Sequence, residues 1–191
     1  MGIENSRSSE IVSCSMTKGS GNTEKLVAAG YFNVICYKEN GDIKWEGKHP
    51  NLVVNTGLQS MNTNHFKGSS YTASFFIGLV TGPAAGTTFA AGDTLASHSG
   101  WTESTAYSGN RPAVTFGTAS TADPSVITNS SSPSSFTMNA TLVVGGAFLC
   151  TVNTGTSGIL FSASDFASPG DRSVVSGDVL NVTYTFSLDA S

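Results

Sequence analysis

Residues 179–188, VLNVTYTFSL, alternate without a break: Leu180, Val182, Tyr184, Phe186 and Leu188 fall on one side, Asn181, Thr183, Thr185 and Ser187 on the other. Successive side chains of a β-strand point to opposite faces, so this run is a strand with one face in a core and one towards solvent. Shorter runs of similar character recur at residues 31–37, 43–46, 71–80, 113–118, 125–128, 136–140, 142–149 and 159–162. Strands spaced about 8 to 15 residues apart, with turn residues between them, predict a mainly β chain. The expected fold is an antiparallel β-sandwich of jelly-roll or Greek-key kind, with one short helix and an extended N-terminal arm. Composition agrees: 21 glycines stand against 6 prolines, and Ser and Thr together number 51 of 191 residues.

Local signals place the parts. Residues 31–37 and 43–46 flank Asn40-Gly41, which predicts a hairpin closed by a type I′ turn, with both central residues at positive φ and Trp45 facing an aromatic of the first strand. His49-Pro50-Asn51 is expected to break the returning strand. Thr56-Gly57-Leu58-Gln59 fits a capping box, and Leu58, Met61, His65 and Phe66 follow at helical spacing, which predicts a helix over about residues 56–66 with that stripe inward. His65 then reads as a packed or half-exposed residue rather than a ligand, since no acid or second His lies one turn away. Residues 71–80 read as a central strand covered on both faces. Residues 1–25 hold too little apolar surface to offset the entropy of ordering; they predict an arm, anchored at most by Ile11 and Val12, attached to a single domain over residues 26–191. Residues 81–112 form a connection of a length that, in compact domains, accompanies function or partner contact.

Charge narrows the classes of function. Only 12% of the residues are charged, against about 25% in ordinary domains, and the net charge is −4. After Lys67 the only basic residues are Arg111 and Arg172, so the clustered cations that neutralise phosphates are missing and nucleic acid is not an expected partner. No stretch approaches the roughly 20 apolar residues of a membrane span, so no membrane partner is expected; the polar residues 1–6 predict a chain made and used without Sec export. Those six residues fit the loose M-G-x-x-x-[ST] acylation pattern, which matters only beside a eukaryotic transferase. Cys14, Cys36 and Cys150 form no C-x-x-C pair and are odd in number, which argues against a disulfide framework or a zinc site and for idle or buried thiols.

The one dense group of titratable residues lies in the long connection. Asp93, His98 and Glu103 are spaced five apart, which suits neither a helix face nor a strand face for a metal, and no cofactor is expected. Ser97 and Ser99 lack the G-x-S-x-G elbow of a nucleophile. A glycan hydrolase would need two carboxylates and an aromatic platform, for which Glu103 with one of the aspartates is the available combination. The expectation is a protein that is not an enzyme. In the loop Trp101 is expected to insert into the core or an interface while short polar side chains satisfy the backbone. Asp93, His98, Trp101, Glu103 and Arg111, with Ile11 and Val12 of the arm, are the candidate partner-contact residues. The sequons at Asn129, Asn139 and Asn181 are what a chain this rich in Asn, Ser and Thr produces by chance.

Several blocks in order carry a resemblance: YFNVICY at 31–37 with Asn40-Gly41 and Lys44-Trp45, PNLVVNTGL at 50–58, Asp93-Thr94 through SHSGWTE at 97–103, Ala106-Tyr107-Ser108 with Arg111-Pro112, GAFL at 146–149, and GDVLNVTYT at 177–185. Over about residues 30–188 the chain resembles a family of tailed-phage virion proteins. The resemblance implies a non-enzymatic capsid-associated protein, a head decoration or cement protein. Its partners would be the major capsid protein and neighbouring copies of itself, as in a trimer, and its place the outer surface of the phage head after assembly in the host cytoplasm. The alternative is a tail or head-to-tail component that docks a fibre or recognises host glycan. Of the 22 charged residues 13 precede residue 70, which makes the arm and first hairpin the expected docking end of an otherwise neutral, hydroxyl-coated body.

Overall fold

A computed structural model of the chain describes residues 26–66, 74–82, 88–166 and 170–190; the expected arm, with Ile11 and Val12, and the start of the 71–80 run lie outside the described residues. The expected hairpin is formed by β1 (Leu26–Tyr37) and β2 (Ile43–Pro50). Its turn differs from the type I′ expectation. Gly41 has a φ of 88° but Asn40 keeps a negative φ, the Gly41 N–H donates to the Lys38 carbonyl (2.9 Å), and the Lys38 N–H donates to the Asp42 carbonyl (2.8 Å). The chain turns over Glu39-Asn40 and uses Gly41 as a bulge, so only the residue without a Cβ enters the left-handed region. Trp45 faces Cys36 rather than an aromatic; its ring meets Phe166 edge-on at 6.4 Å, because that face of β2 looks into the molecule. His49 and Pro50 do not break β2, which ends only at Asn51: Pro50 sits on the outermost strand of its sheet, where a missing N–H removes no ladder bond.

β3 (Leu52–Val53) leads into α1 (Asn55–Phe66), the expected helix with a different inward face. The Thr56 hydroxyl donates to the Leu160 carbonyl (2.7 Å) instead of capping, and the Leu58 N–H bonds the Val54 carbonyl (3.1 Å). Gly57 and Ser60 are buried, whereas Leu58, His65 and Phe66 are exposed and Met61 is half-buried. The cause is backbone proximity: a Cβ on Gly57 would stand 2.2 Å from the Phe161 carbonyl oxygen, so only small side chains fit on that face and the larger ones turn away.

The remaining strands are β4 (Phe76–Thr81), β5 (Glu103–Ser104), β6 (Ser125–Thr128), β7 (Ser134–Thr137), β8 (Leu142–Cys150), β9 (Leu160–Asp165), β10 (Arg172–Val174) and β11 (Val179–Ala190). One sheet has the order β2-β1-β11-β6, with β7 also on β11; the other has β3-β9-β8-β4-β5, with β10 on β8. All pairs are antiparallel, and the chain passes between the two sheets four times. β1 and β11 pair along their whole length, from Leu26↔Ala190 to Tyr37↔Val179. β6 and β7 share the other side of β11, and fully buried Asn129 fills the gap between them: its Oδ1 accepts the Tyr184 N–H (2.6 Å) and its Nδ2 donates to the Val182 carbonyl (3.4 Å), as a strand's own amide would. The strand expected over residues 113–118 is absent. Ala113 makes one bridge to Phe76, the Val114 N–H donates to the Phe75 carbonyl (2.8 Å) and the Gly117 N–H to the Thr128 carbonyl (2.9 Å), and Phe116 packs against both Phe75 (5.9 Å) and Tyr184 (6.2 Å), so this segment crosses from one sheet to the other and bonds briefly to each instead of extending either as a strand.

The main core lies between the sheets. Phe32, Val34 and Cys36 of β1 and Leu180, Val182 and Tyr184 of β11 meet Ile77 and Leu79 of β4 and Val144, Ala147 and Leu149 of β8. The inward row of β11 is the apolar set of its alternation. A second apolar cluster lies on the far side of the second sheet and includes Val80, Phe148, Cys150, Leu160 and Ala163 together with Leu95 and Trp101. Both faces of β4 and β8 are therefore covered, which is why Ile77 to Val80 and residues 144–150 are buried without alternation.

Candidate functional site

The cover on that far side is the first part of the long connection, residues 88–102, which lies as a third layer across the second sheet; the chain then joins that sheet as β5 and passes at Tyr107 into the main core. Its fixed points are the residues the sequence singled out. Asp93 closes a turn over Ala91-Gly92 in which its Oδ2 accepts the Ala90 N–H (3.0 Å) and its own N–H donates to the Ala90 carbonyl (3.0 Å); the same Oδ2 accepts the Trp101 indole N–H (3.0 Å). Trp101 is thus held by its polar edge while its rings pack against Phe89 (5.5 Å) and Phe148 (5.2 Å). His98 stacks on the outer face of the indole at 3.6 Å and 10°, and its Nδ1–H donates to the Trp101 carbonyl (3.0 Å). Gly100 is needed at this bend because a Cβ there would lie 2.2 Å from the Thr88 carbonyl oxygen.

The far end of the loop is closed by an ion pair. Arg111 donates from Nε to Glu103 Oε1 (2.7 Å) and from Nη2 to Oε2 (2.6 Å), a two-pronged pairing that matches the planar guanidinium to the carboxylate. Its Nη1 donates to the carbonyls of Val152 (3.0 Å) and Gly155 (3.0 Å), so the side chain also fastens residues 151–158. The Arg111 side chain is 4% exposed and that of Glu103 25%. The bond to Glu103 outweighs burial and raises the Arg111 pKa, keeping it charged. Glu103 itself lies on β5, paired to β4. Facing outward from the layer are Ser97, Ser99, Thr102 and Thr105, so the surface on show is neutral and hydroxylated.

Asp93, His98, Trp101, Glu103 and Arg111 are therefore brought together on one layer, but Asp93, Trp101 and Arg111 are buried and fully engaged. What those three offer a partner is the shape of the loop, not their own side chains. Trp101 enters the core as the sequence suggested, and the loop backbone is satisfied by short polar groups such as the Thr94 hydroxyl on the Ser97 N–H (3.0 Å). The pairing of Glu103 with Arg111 was missed; the isolation of Arg111 as one of two late basic residues was the available signal. A second buried pair had no signal at all: Lys44 Nζ stands 2.6 Å from Asp178 Oδ2, which also accepts the Val175 N–H (2.9 Å). Burial alone would raise the Asp178 pKa, but the Lys44 and Val175 hydrogen bonds prevail and lower it. The neighbouring Cys36 thiol is pushed up to about 12, by burial first and by the Asp178 charge second.

Among the described residues no group of three or more His, Cys, Asp or Glu is arranged to hold a metal ion, and no helix is long and apolar enough to cross a membrane. No protein-family profile, curated protein or solved structure matches the chain.

Proposed function

We propose that the protein is a head decoration protein of a tailed phage, binding in many copies to the outside of the major capsid protein lattice and bridging its subunits without catalysis. The observation that carries this reading is how the resembling blocks meet: Asp93, the 97–103 block and Arg111 converge to clamp one loop as a rigid outer layer over the second sheet. Side chains able to do chemistry are here engaged in holding shape, which suits passive contact between surfaces. A clamped loop loses little conformational freedom on docking, so modest contacts repeated over a symmetric lattice add up through high effective concentration. The neutral, hydroxylated exterior lets identical copies crowd without repulsion.

The test is binding to heads that lack the protein. Saturable uptake of hundreds of copies per head, with DNA retained to higher temperature, is the expected result. Uptake of only a few to a dozen copies, at the tail vertex, would favour the tail-side alternative, and no uptake would overturn both. Removing residues 1–20 is expected to weaken incorporation; unchanged occupancy would remove the arm from the contact.

A further inference from the structure

The chain holds a single Asn-Gly pair, Asn40-Gly41, and it stands at the tip of the β1–β2 hairpin, where Asn40, Gly41 and Asp42 are all exposed. An asparagine before a glycine is open to an intramolecular reaction, because no side chain shields the backbone nitrogen that lies beside its amide. That nitrogen is unscreened here: nothing lies within 4 Å of the place a Cβ on Gly41 would take. In the reaction the Gly41 N–H gives its proton to hydroxide from solvent and the nitrogen attacks Asn40 Cγ. The N–Cγ bond forms, the Cγ–Nδ2 bond breaks, and Nδ2 leaves as ammonia with a proton taken from water. A second water opens the five-membered imide at either carbonyl and leaves aspartate or isoaspartate at position 40, with no electron gained or lost.

The turn opposes each part of that path. The Gly41 N–H donates to the Lys38 carbonyl (2.9 Å), which holds the attacking nitrogen in its protonated form. Asn40 Oδ1 accepts the Asp42 N–H (3.1 Å) and Asn40 Nδ2 donates to Asp42 Oδ2 (2.9 Å), so both ends of the amide are pinned on Asp42 instead of being free to swing Cγ onto Gly41. The Lys38 N–H, on the Asp42 carbonyl (2.8 Å), closes the same turn. At Asn129-Ser130 burial gives comparable restraint; at the exposed tip only these hydrogen bonds do.

We propose that Asn40 is a latent deamidation site and that the Asp42 carboxylate is its latch. Conversion is slow while the tip is closed and proceeds when it opens. The change sustains itself, since the new carboxylate has no N–H to offer Asp42 Oδ2 and repels it, so the converted tip does not close again. Lys38, Glu39, Asn40 and Lys44 wall a cleft of about 490 Å³ at this end of the sandwich, so conversion also adds a negative charge to the cleft and takes the net charge one unit below −4. None of this depends on where the protein acts.

The purified full chain, folded or in urea, is incubated at mildly alkaline pH, and the peptide that carries Asn40 is followed by mass spectrometry and by isoaspartate methylation. The folded chain is expected to convert about tenfold more slowly than the unfolded one, the factor that about 1.4 kcal/mol of local opening imposes. Asp42→Ala should speed conversion in the folded protein about threefold and leave the rate in urea unchanged, because it removes one hydrogen bond of the closed tip. Asp42→Asn, whose amide oxygen accepts the same bond from Asn40, should restore the slow rate. If Asp42→Ala fails to fold, Asp42→Lys, which has no acceptor to offer, takes its place. Equal rates in folded and unfolded chains would overturn the latency, no conversion in urea would overturn the site, and a folded acceptor-less variant as slow as the wild type would overturn the role of Asp42. Because these readouts use protein free of heads, their failure is distinct from a failure of head binding.

Discussion

Between pH 6.5 and 4 acid should loosen this protein through His49; Asp178, whose pKa is held below the ordinary carboxylate value, acts in the same direction at lower pH. The His49 ring is 1% exposed, stacks on Phe166 at 4.2 Å and 25°, lies over Gly47, and leaves Nε2 without a hydrogen-bond partner. Burial, reinforced by the positive charge of Arg172, lowers its pKa from 6.5 to about 4. In the unfolded chain the imidazole takes up its proton near pH 6.5, and in the folded chain only near pH 4. Between those values the unfolded state holds more protons, so stability present above pH 6.5 is lost as pH falls and the loss is complete below about pH 4. A gap of about 2.5 pH units at 1.36 kcal/mol each sets the full loss at about 3 kcal/mol. Asp165 acts in the opposite direction, since burial and the Asp171 charge raise its pKa and it favours the folded state as pH drops. Its effect is shared by a His49→Leu variant, and the difference between the two proteins isolates the histidine. Urea unfolding followed through the fluorescence of Trp45 and Trp101, from pH 7.5 to 4, should show the wild-type midpoint falling relative to the variant by about 1 to 2 M. Parallel pH profiles in the two proteins would refute the assignment.

Three further outcomes follow from the geometry. Glu103→Ala leaves the Arg111 guanidinium buried without its carboxylate and should cost about 2 to 4 kcal/mol, measured by denaturant unfolding, with new protease cleavage within residues 88–112. Gly57→Ala, whose methyl would meet the Phe161 carbonyl, should destabilise the fold by about 1 to 3 kcal/mol and lower the thermal midpoint, although alanine is the better helix former. Cys36, with its thiol pKa at about 12, should resist iodoacetamide at pH 8 in the folded protein and react fully once urea unfolds it; fast labelling of the native protein would show that the Asp178 corner opens.

The burial of charge at Asp178 and Arg111 gives the low charge content a structural meaning. Both groups are tied to partners far along the chain, Lys44 at one side of the sandwich and the 151–158 segment at the other. Removing either partner leaves a buried group uncompensated, so these pairs act as fasteners whose loss is costly even where their net contribution is small. The 13 early charged residues are accordingly not all available to a docking surface, since half-buried Lys44 is committed to Asp178.

Local chemistry was enough to determine the β character, the hairpin, the presence of α1 and the inward row of β11, because a two-residue period and a glycine-bearing turn are properties of adjacent residues. Trp101 as an inserted side chain was legible for the same reason: a large aromatic among short polar residues has few other places to go. Distance in space decided the rest. α1 buries Gly57 and Ser60, and not the stripe of Leu58 and Phe66, because the Phe161 backbone reaches the helix from about a hundred residues away. Residues 113–118 carry strand-like residues but cross from one sheet to the other, so they bond to each only briefly, at Phe75 and Thr128, instead of forming a strand. Arg111 meets Glu103 and the 151–158 carbonyls only because the long connection folds across the second sheet. A sequence states which side chains are able to pair, but burial and close approach, which set their energies, exist only once the two sheets and their covering layer are assembled.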